Sequence, residues 1–156
     1  MDGHPAPSVP IVTEPHIHVA PEALARRTRD CLVLTAEERR WGRRRIRTRG
    51  GRDLLLALPT GAVLTPGDVL CLGPDWYVVI EPAEEPVIAV RPRSHEEAIR
   101  VAFEVGNRHF TVAIDHGRLL VPDDTAMEQL LTRLGVVWER TRAVFVPLGA
   151  GHRHDH

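Results

Sequence analysis

Nine histidines are spread unevenly along these 156 residues, and three of them close the chain. His152, His154 and His156 alternate with Arg153 and Asp155. Alternating imidazoles on a flexible end can fold around one cation. Imidazole suits nickel, copper and zinc, and the carboxylate of Asp155 or of the chain terminus can add a ligand. A purification tag is normally an unbroken histidine run, so this mixed tract reads as native. By composition alone such a tract does not say which metal it takes. A fourth histidine, His109, stands apart in Gly106-Asn107-Arg108-His109. One imidazole holds a divalent ion poorly. In a two-fold dimer, one His109 from each subunit can face its mate across the axis. That shared, partly open site would bind a metal and still release it. The bland alternative is a lone histidine with a satisfied ring nitrogen.

The remaining histidines carry less. His4, His16 and His18 lie in a proline-rich leader, where His16-x-His18 adds weak metal affinity at most or belongs to a mere extension. His95 and His116 read as solvated, with His116 kept as a candidate accessory ligand. Other chemistries lack their residues. Every basic residue is arginine, which removes Schiff-base chemistry and a P-loop lysine. Only two serines occur, and Ser94 is better explained as a helix cap. There is no nucleophile elbow and no HExxH. A metal hydrolase needs about three fixed protein ligands plus an open position, which a tail cannot supply. The chain therefore reads as a metal binder and not an enzyme.

Charge sets out the rival reading. The net charge is -1, from 20 basic and 21 acidic residues, against the positive field of most nucleic-acid binders. Locally, though, Arg39, Arg40, Arg43, Arg44, Arg45, Arg47, Arg49 and Arg52 cluster, and a basic β-surface can bind RNA or another polyanion with the tail's metal binding incidental. Trp41 is the stretch's only aromatic for stacking bases, so a solvated face, or one that docks an acidic protein partner, is the preferred reading. Cys31 and Cys71 are far apart, in no CxxC pattern, and read as reduced thiols in a cytosol. No apolar run approaches a membrane span, and the N-terminus lacks a signal-peptide pattern. The expected address is the cytoplasm.

Two domains must position these groups. Residues 1–21 read as a disordered leader. Residues 22–85 read as a small all-β domain, with short apolar runs at Cys31 to Thr35, Asp53 to Leu58, Asp68 to Leu72 and Trp76 to Ile80 between Gly/Pro turns. The polar stretch Glu81 to Pro86 is taken as the boundary. Residues 86–148 change rhythm. Val87 to Val90 is a strand, and Ser94 with Glu97 forms a capping box. The helix after it carries Ile99, Ala102, Phe103 and Gly106 at i, i+3, i+4 and i+7, and Gly106-Asn107 supplies its left-handed C-cap. Phe110 to Ile114 and Arg118 to Val121 make a hairpin about Asp115 to Gly117. Asp123 or Asp124, or a Thr125–Glu128 box, caps a second helix that buries Met127, Leu130, Leu131 and Leu134 and ends at Gly135. Val136 to Val146 is the last strand. The order βαββαβ is ferredoxin-like, so the class is α+β. Residues 149–156 form a disordered His-rich tail.

With Gly106-Asn107-Arg108-His109 after a helix, this βαββαβ order and the histidine-rich end, the chain resembles the UreE family of urease accessory proteins. Leu32-Val33-Leu34-Thr35, Glu38-Arg39-Arg40 with the arginine-rich strand, and Gly67-Asp68-Val69-Leu70 leading to Trp76 are similar to that family's first domain. The resemblance runs from about residue 30 to the end. It implies a Ni2+-binding homodimer, with Zn2+ or Cu2+ able to compete. It makes His109 the central metal ligand at the dimer interface and His152, His154 and His156 an auxiliary collecting end. It implies delivery to the urease accessory GTPase, UreG, and the urease maturation complex. Some members carry a further histidine pair where this chain has Asp123, Asp124 and Thr125, so a site there is not carried over.

Overall fold

The computed structural model describes residues 8–149, which divide into two compact units between Glu81 and Pro82. The first unit is β-rich. Its elements are β1 (Ile11–Val12), a short helix α1 (Pro21–Ala25), β2 (Thr28–Leu34), a 3-10 turn at Glu38–Arg40, β3 (Arg43–Arg47), β4 (Asp53–Ala57), β5 (Val69–Leu72) and β6 (Trp76–Pro82). They form two three-stranded sheets, in the orders β1-β4-β3 and β2-β6-β5. Both sheets turn side chains into one core that includes Val12, Leu32, Leu34, Leu54, Leu56, Leu70, Val78 and Ile80. Strand periodicity explains the selection. On β4, Leu54 and Leu56 face in while Leu55 between them faces out.

Residues 8–21 depart from the disordered leader expected of them. Ile11 and Val12 pair in parallel with Leu55 and Leu56, and Val12 is buried. Further on, the Ile17 N–H donates to the Val69 carbonyl at 2.9 Å. Prolines here favour an extended path, and the few apolar residues between them are enough to dock it. Through the polar stretch after Glu81 the chain stays extended, β6 running to Pro82 and the next strand beginning at Glu84.

The second unit follows the expected βαββαβ order: β7 (Glu84–Val90), α2 (His95–Asn107), β8 (Ala113–Asp115), β9 (Arg118–Pro122), α3 (Thr125–Leu134) and β10 (Trp138–Val144). The sheet order β10-β7-β9-β8, antiparallel throughout, is that of a ferredoxin-like fold. Ser94 caps α2, its hydroxyl accepting from the Glu97 N–H at 3.1 Å. Asp124 caps α3 by accepting from Ala126, so the Thr125–Glu128 box is not the one used. The core joins Ile88, Val90, Leu119 and Val121 of the sheet to Val101, Val105, Met127, Leu130 and Leu131 of the helices.

The apolar stripe that periodicity marks on α2 is not its buried one. Its buried residues are Val101 and Val105, whereas Ile99 and Phe103 are 69% and 66% exposed. The helix carries two apolar stripes about 160° apart, on nearly opposite faces, and only one can face the sheet. The strand expected from Phe110 is also shorter, beginning at Ala113.

The first unit turns on Asp30, a buried carboxylate. It accepts hydrogen bonds from the Cys31 and Gly50 N–H groups, the Thr48 hydroxyl and the Arg52 guanidinium. Gly50 is needed there, because a Cβ at that position would lie 2.8 Å from the carboxylate. Burial opposes ionisation of Asp30, but the bonds from Thr48, Gly50, Arg52 and Cys31 outweigh it and hold the carboxyl below its ordinary value. A depressed folded-state value adds stability that is complete above about pH 3.9 and is lost as pH falls through the folded value. Asp30→Asn should cost about 1–3 kcal/mol at pH 7, and less at about pH 3. Urea unfolding of the full chain at the two pH values, followed by tryptophan emission, measures both; an equal loss at both would contradict this role.

Candidate metal-binding histidines

His109 follows directly on the end of α2. The last helical turn is held from two sides. Arg108 folds back, donating to the Glu104 carbonyl at 3.0 Å and to the Glu104 carboxylate at 2.6 Å. The backbone then closes with two reversed hydrogen bonds, from the His109 N–H to the Gly106 carbonyl at 3.0 Å and from the Phe110 N–H to the Val105 carbonyl at 3.2 Å. This pair of bonds is a Schellman closure, whose penultimate residue must take the left-handed conformation. That residue is His109, at φ 63°. The expectation that Gly106 or Asn107 would fill this position is therefore corrected, since the turn falls two residues later.

The same closure ends α3, where the Val136 N–H reaches back to the Leu131 carbonyl and Gly135 takes the left-handed slot at φ 71°. Glycine is the ordinary occupant of that slot, and a side chain there costs roughly 1–2 kcal/mol. At α2 the chain puts an imidazole in it. The closure sends Phe110 inward against the core and leaves His109 exposed, its ring without a partner among the described residues.

Gly106, Phe103 and Ile99 lie at i+7, i+4 and i along the outer stripe of α2, which runs toward His109. A Cβ on Gly106 would meet nothing within 4 Å, so packing within the chain does not call for a glycine there. Glycine inside a helix costs about 0.5–1 kcal/mol relative to alanine.

The other histidines are dispersed. His116 occupies a two-residue hairpin turn with Gly117, at φ 49° and 83°, the type I′ geometry that suits a twisted hairpin. Its side chain is 98% exposed, with Nε2 3.8 Å from Asp115. His95 begins α2 and is exposed. His16 and His18 sit on the extended segment before α1. Among the described residues, no group of three or more His, Cys, Asp or Glu side chains is placed to hold a metal ion. His4, His152, His154 and His156 lie outside the described residues. The chain leads to its final histidines from Leu148, whose N–H donates to the Val112 carbonyl at 2.8 Å, three residues beyond His109. Asp123 and Asp124 have other work, the first pairing with Arg140 at 3.3 Å and the second capping α3.

The arginine cluster is not one surface. Arg39 is buried and donates to the Leu34 carbonyl, and Arg52 is bound to Asp30. Arg44 lies 3.5 Å over the Trp41 ring, which occupies the aromatic face a base would stack on. The outer row is Arg43, Arg45 and Arg47, opposite Ala57, Leu55 and Asp53 on β4. Asp53 pairs with both Arg45 and Arg47. Cys31 and Cys71 are free thiols, and burial pushes the Cys71 thiol up to about 11. No helix of the described residues is long and apolar enough to cross a membrane.

Fold and site together define a two-domain α+β protein, a β-rich domain followed by a ferredoxin-like domain that bears an exposed histidine on a strained helix end. Residues 13–83 match the N-terminal domain, and residues 85–156 the C-terminal domain, of the UreE urease accessory protein. The chain belongs to the UreE family of urease accessory proteins, which serve urease maturation and are not enzymes. A urease accessory protein UreE of Deinococcus radiodurans is 45% identical over 112 residues, 72% of each chain. One from a Synechococcus species is 41% identical over 127 residues, 79% of this chain and 83% of that one. A third, from Burkholderia mallei, is 41% identical over 68% of this chain and 60% of its own length.

The left-handed slot makes a direct prediction about stability. His109→Gly should leave the fold unchanged and raise stability by about 0.5–1 kcal/mol, whereas the β-branched His109→Val should lower it. Urea unfolding of the three proteins checks the order, and a glycine variant less stable than the parent would refute it.

Proposed function

We infer that this chain is a nickel metallochaperone that works in the cytoplasm as a homodimer and carries Ni2+ to the urease maturation complex. The observation that carries the reading is His109, an exposed imidazole held in a conformation that glycine would adopt at lower cost. Strain retained at an exposed polar residue points to use of that residue. One imidazole is too few to hold the ion, so the reading pairs His109 from two copies across a two-fold axis. The unpartnered stripe of Ile99, Phe103 and Gly106 supports this, because it is apolar, exposed, and has a glycine that lets another backbone approach closely.

On this reading the two His109 rings hold one cargo ion per dimer, with water or tail imidazoles completing its shell. His152, His154 and His156 gather metal and exchange it with the central pair. Transfer to the accessory GTPase, UreG, then proceeds by replacing one ligand at a time. Zn2+ and Cu2+ compete at such imidazoles, and copper binds them more strongly than nickel does. The family membership is what favours nickel as the physiological cargo. The basic row of Arg43, Arg45 and Arg47 fits an acidic protein surface better than a nucleic acid, given that Arg44 already stacks over one face of Trp41.

A Ni2+ titration by calorimetry tests the central site on the intact chain, on His109→Gly and on a chain ending at Gly149. His109→Gly should abolish the tightest event, and the shortened chain should lose only further equivalents. A His109→Gly protein that binds like the parent would sink the proposal. Imidazole ligands must be unprotonated, so affinity should fall as pH drops through about 6.5, and an affinity flat from about pH 8 to about pH 5 would count against histidine ligation. The dimer has its own test. Phe103→Asp alters an exposed side chain, so the fold should persist while sedimentation shifts to the monomer; an unchanged dimer would place the interface elsewhere.

A further inference from the structure

We propose that His16 and His18 form a second, independent binding site for a divalent transition-metal ion, in the N-terminal domain. The two residues flank Ile17 on an extended segment, so their side chains project to the same side. The segment is fixed by the Ile17 N–H, which donates to the Val69 carbonyl at 2.9 Å on the edge strand β5. The imidazoles already stand together, with ring centroids 5.3 Å apart and planes at 82°. His16 is half-buried and His18 exposed, so solvent reaches the pair.

The spacing matches what a chelated ion requires. A nitrogen ligand lies about 2.0–2.1 Å from such an ion, and about 1.1 Å separates that nitrogen from its ring centre, so a tetrahedral angle puts two ring centres about 5 Å apart. The observed separation is within a few tenths of an ångström of that value. Chelation would need the rings to turn from this edge-to-face contact so that both nitrogens aim at one point, while the hydrogen-bonded backbone leaves less ordering to be done. Two neutral imidazoles select borderline ions such as Ni2+, Cu2+ and Zn2+ over Ca2+ or Mg2+. Water fills the other positions, which makes the site weak and quick to exchange. It does not depend on His109 being a ligand.

The test uses the full chain with His109→Gly and with His152, His154 and His156 each changed to Ala, so that the groups invoked above are gone. Titrated with Ni2+ and with Zn2+ by calorimetry, this protein should keep one weak equivalent per chain. Adding either His16→Ala or His18→Ala should weaken that equivalent at least about tenfold. Paramagnetic Ni2+ should broaden the His16 and His18 ring resonances before those of His95 and His116. The proposal is overturned if the starting protein binds neither ion at about 1 mM, or if the equivalent survives in the His16→Ala/His18→Ala double variant. Loss of the central site is read separately, from His109→Gly in the otherwise intact chain, so the two ideas stand or fall apart.

Discussion

The ferredoxin-like unit depends on how α2 is brought to an end. A helix leaves its last carbonyls unsatisfied, and here the Phe110 N–H turns back to serve Val105. That bond requires a left-handed residue between them, and the requirement fixes two side chains at once. Phe110 is carried inward onto the core, and His109 is carried outward. Neither can slip by a residue without reversing both. The parallel closure at Gly135 shows what the position takes when only chain reversal is at stake. A helix end that is stapled to the core is a rigid mount, so the imidazole is well placed in space even though its ring has no partner among the described residues.

The second constraint is the double stripe on α2. Thirteen residues give under four turns, enough to bury Val101 and Val105 against the sheet, and Ile99 and Phe103 are left facing water. Burying each of those side chains is worth about 1.5–3 kcal/mol, so two copies would gather roughly 6–12 kcal/mol from four of them. Association costs an estimated 4–15 kcal/mol before any net affinity appears. On the proposed dimer the apolar stripe alone therefore gives modest pairing. A metal shared at the end of the stripe would add to it, which couples cargo to assembly by mass action. Gly106 fits this picture as the point of closest approach.

Much of this architecture was legible in the sequence, for local reasons. Ser94 and the aspartates before α3 announce helix starts because their side chains do the capping themselves, and His116-Gly117 lies in the expected tight turn. What escaped was set by distant partners. Both stripes of α2 have helical spacing, so periodicity could not tell the buried one from the exposed one. The short strand β1 exists only because β4 offers an edge, and no local pattern marks it. Asp30 looks like any polar residue until Thr48, Gly50 and Arg52 are brought around it by the turn between β3 and β4. The family motif drew attention to His109, but its left-handed backbone was hidden because Gly106 and Asn107 are the better left-handed formers.

A carrier must hold its ion less firmly than the destination does, and incomplete ligand sets are the direct way to achieve this. The described residues offer single histidines and one pair, and no cluster of three. Reach decides whether such fragments can cooperate. Extended chain spans at most about 3.3–3.6 Å per residue, so four residues beyond Leu148 can reach at most about 14 Å and eight at most about 28 Å. Leu148 is tied to Val112, and Val112 is at most about 11 Å from His109. On the proposed function, a chain of that reach would let terminal histidines approach the His109 ring of the same chain. Tethered ligands act at millimolar effective concentration over such spans, so an ion at His109 would find a replacement ligand long before it diffused away. Stepwise replacement keeps the ion bound throughout while leaving each single bond weak, and the same logic lets a recipient supply the next ligand in turn.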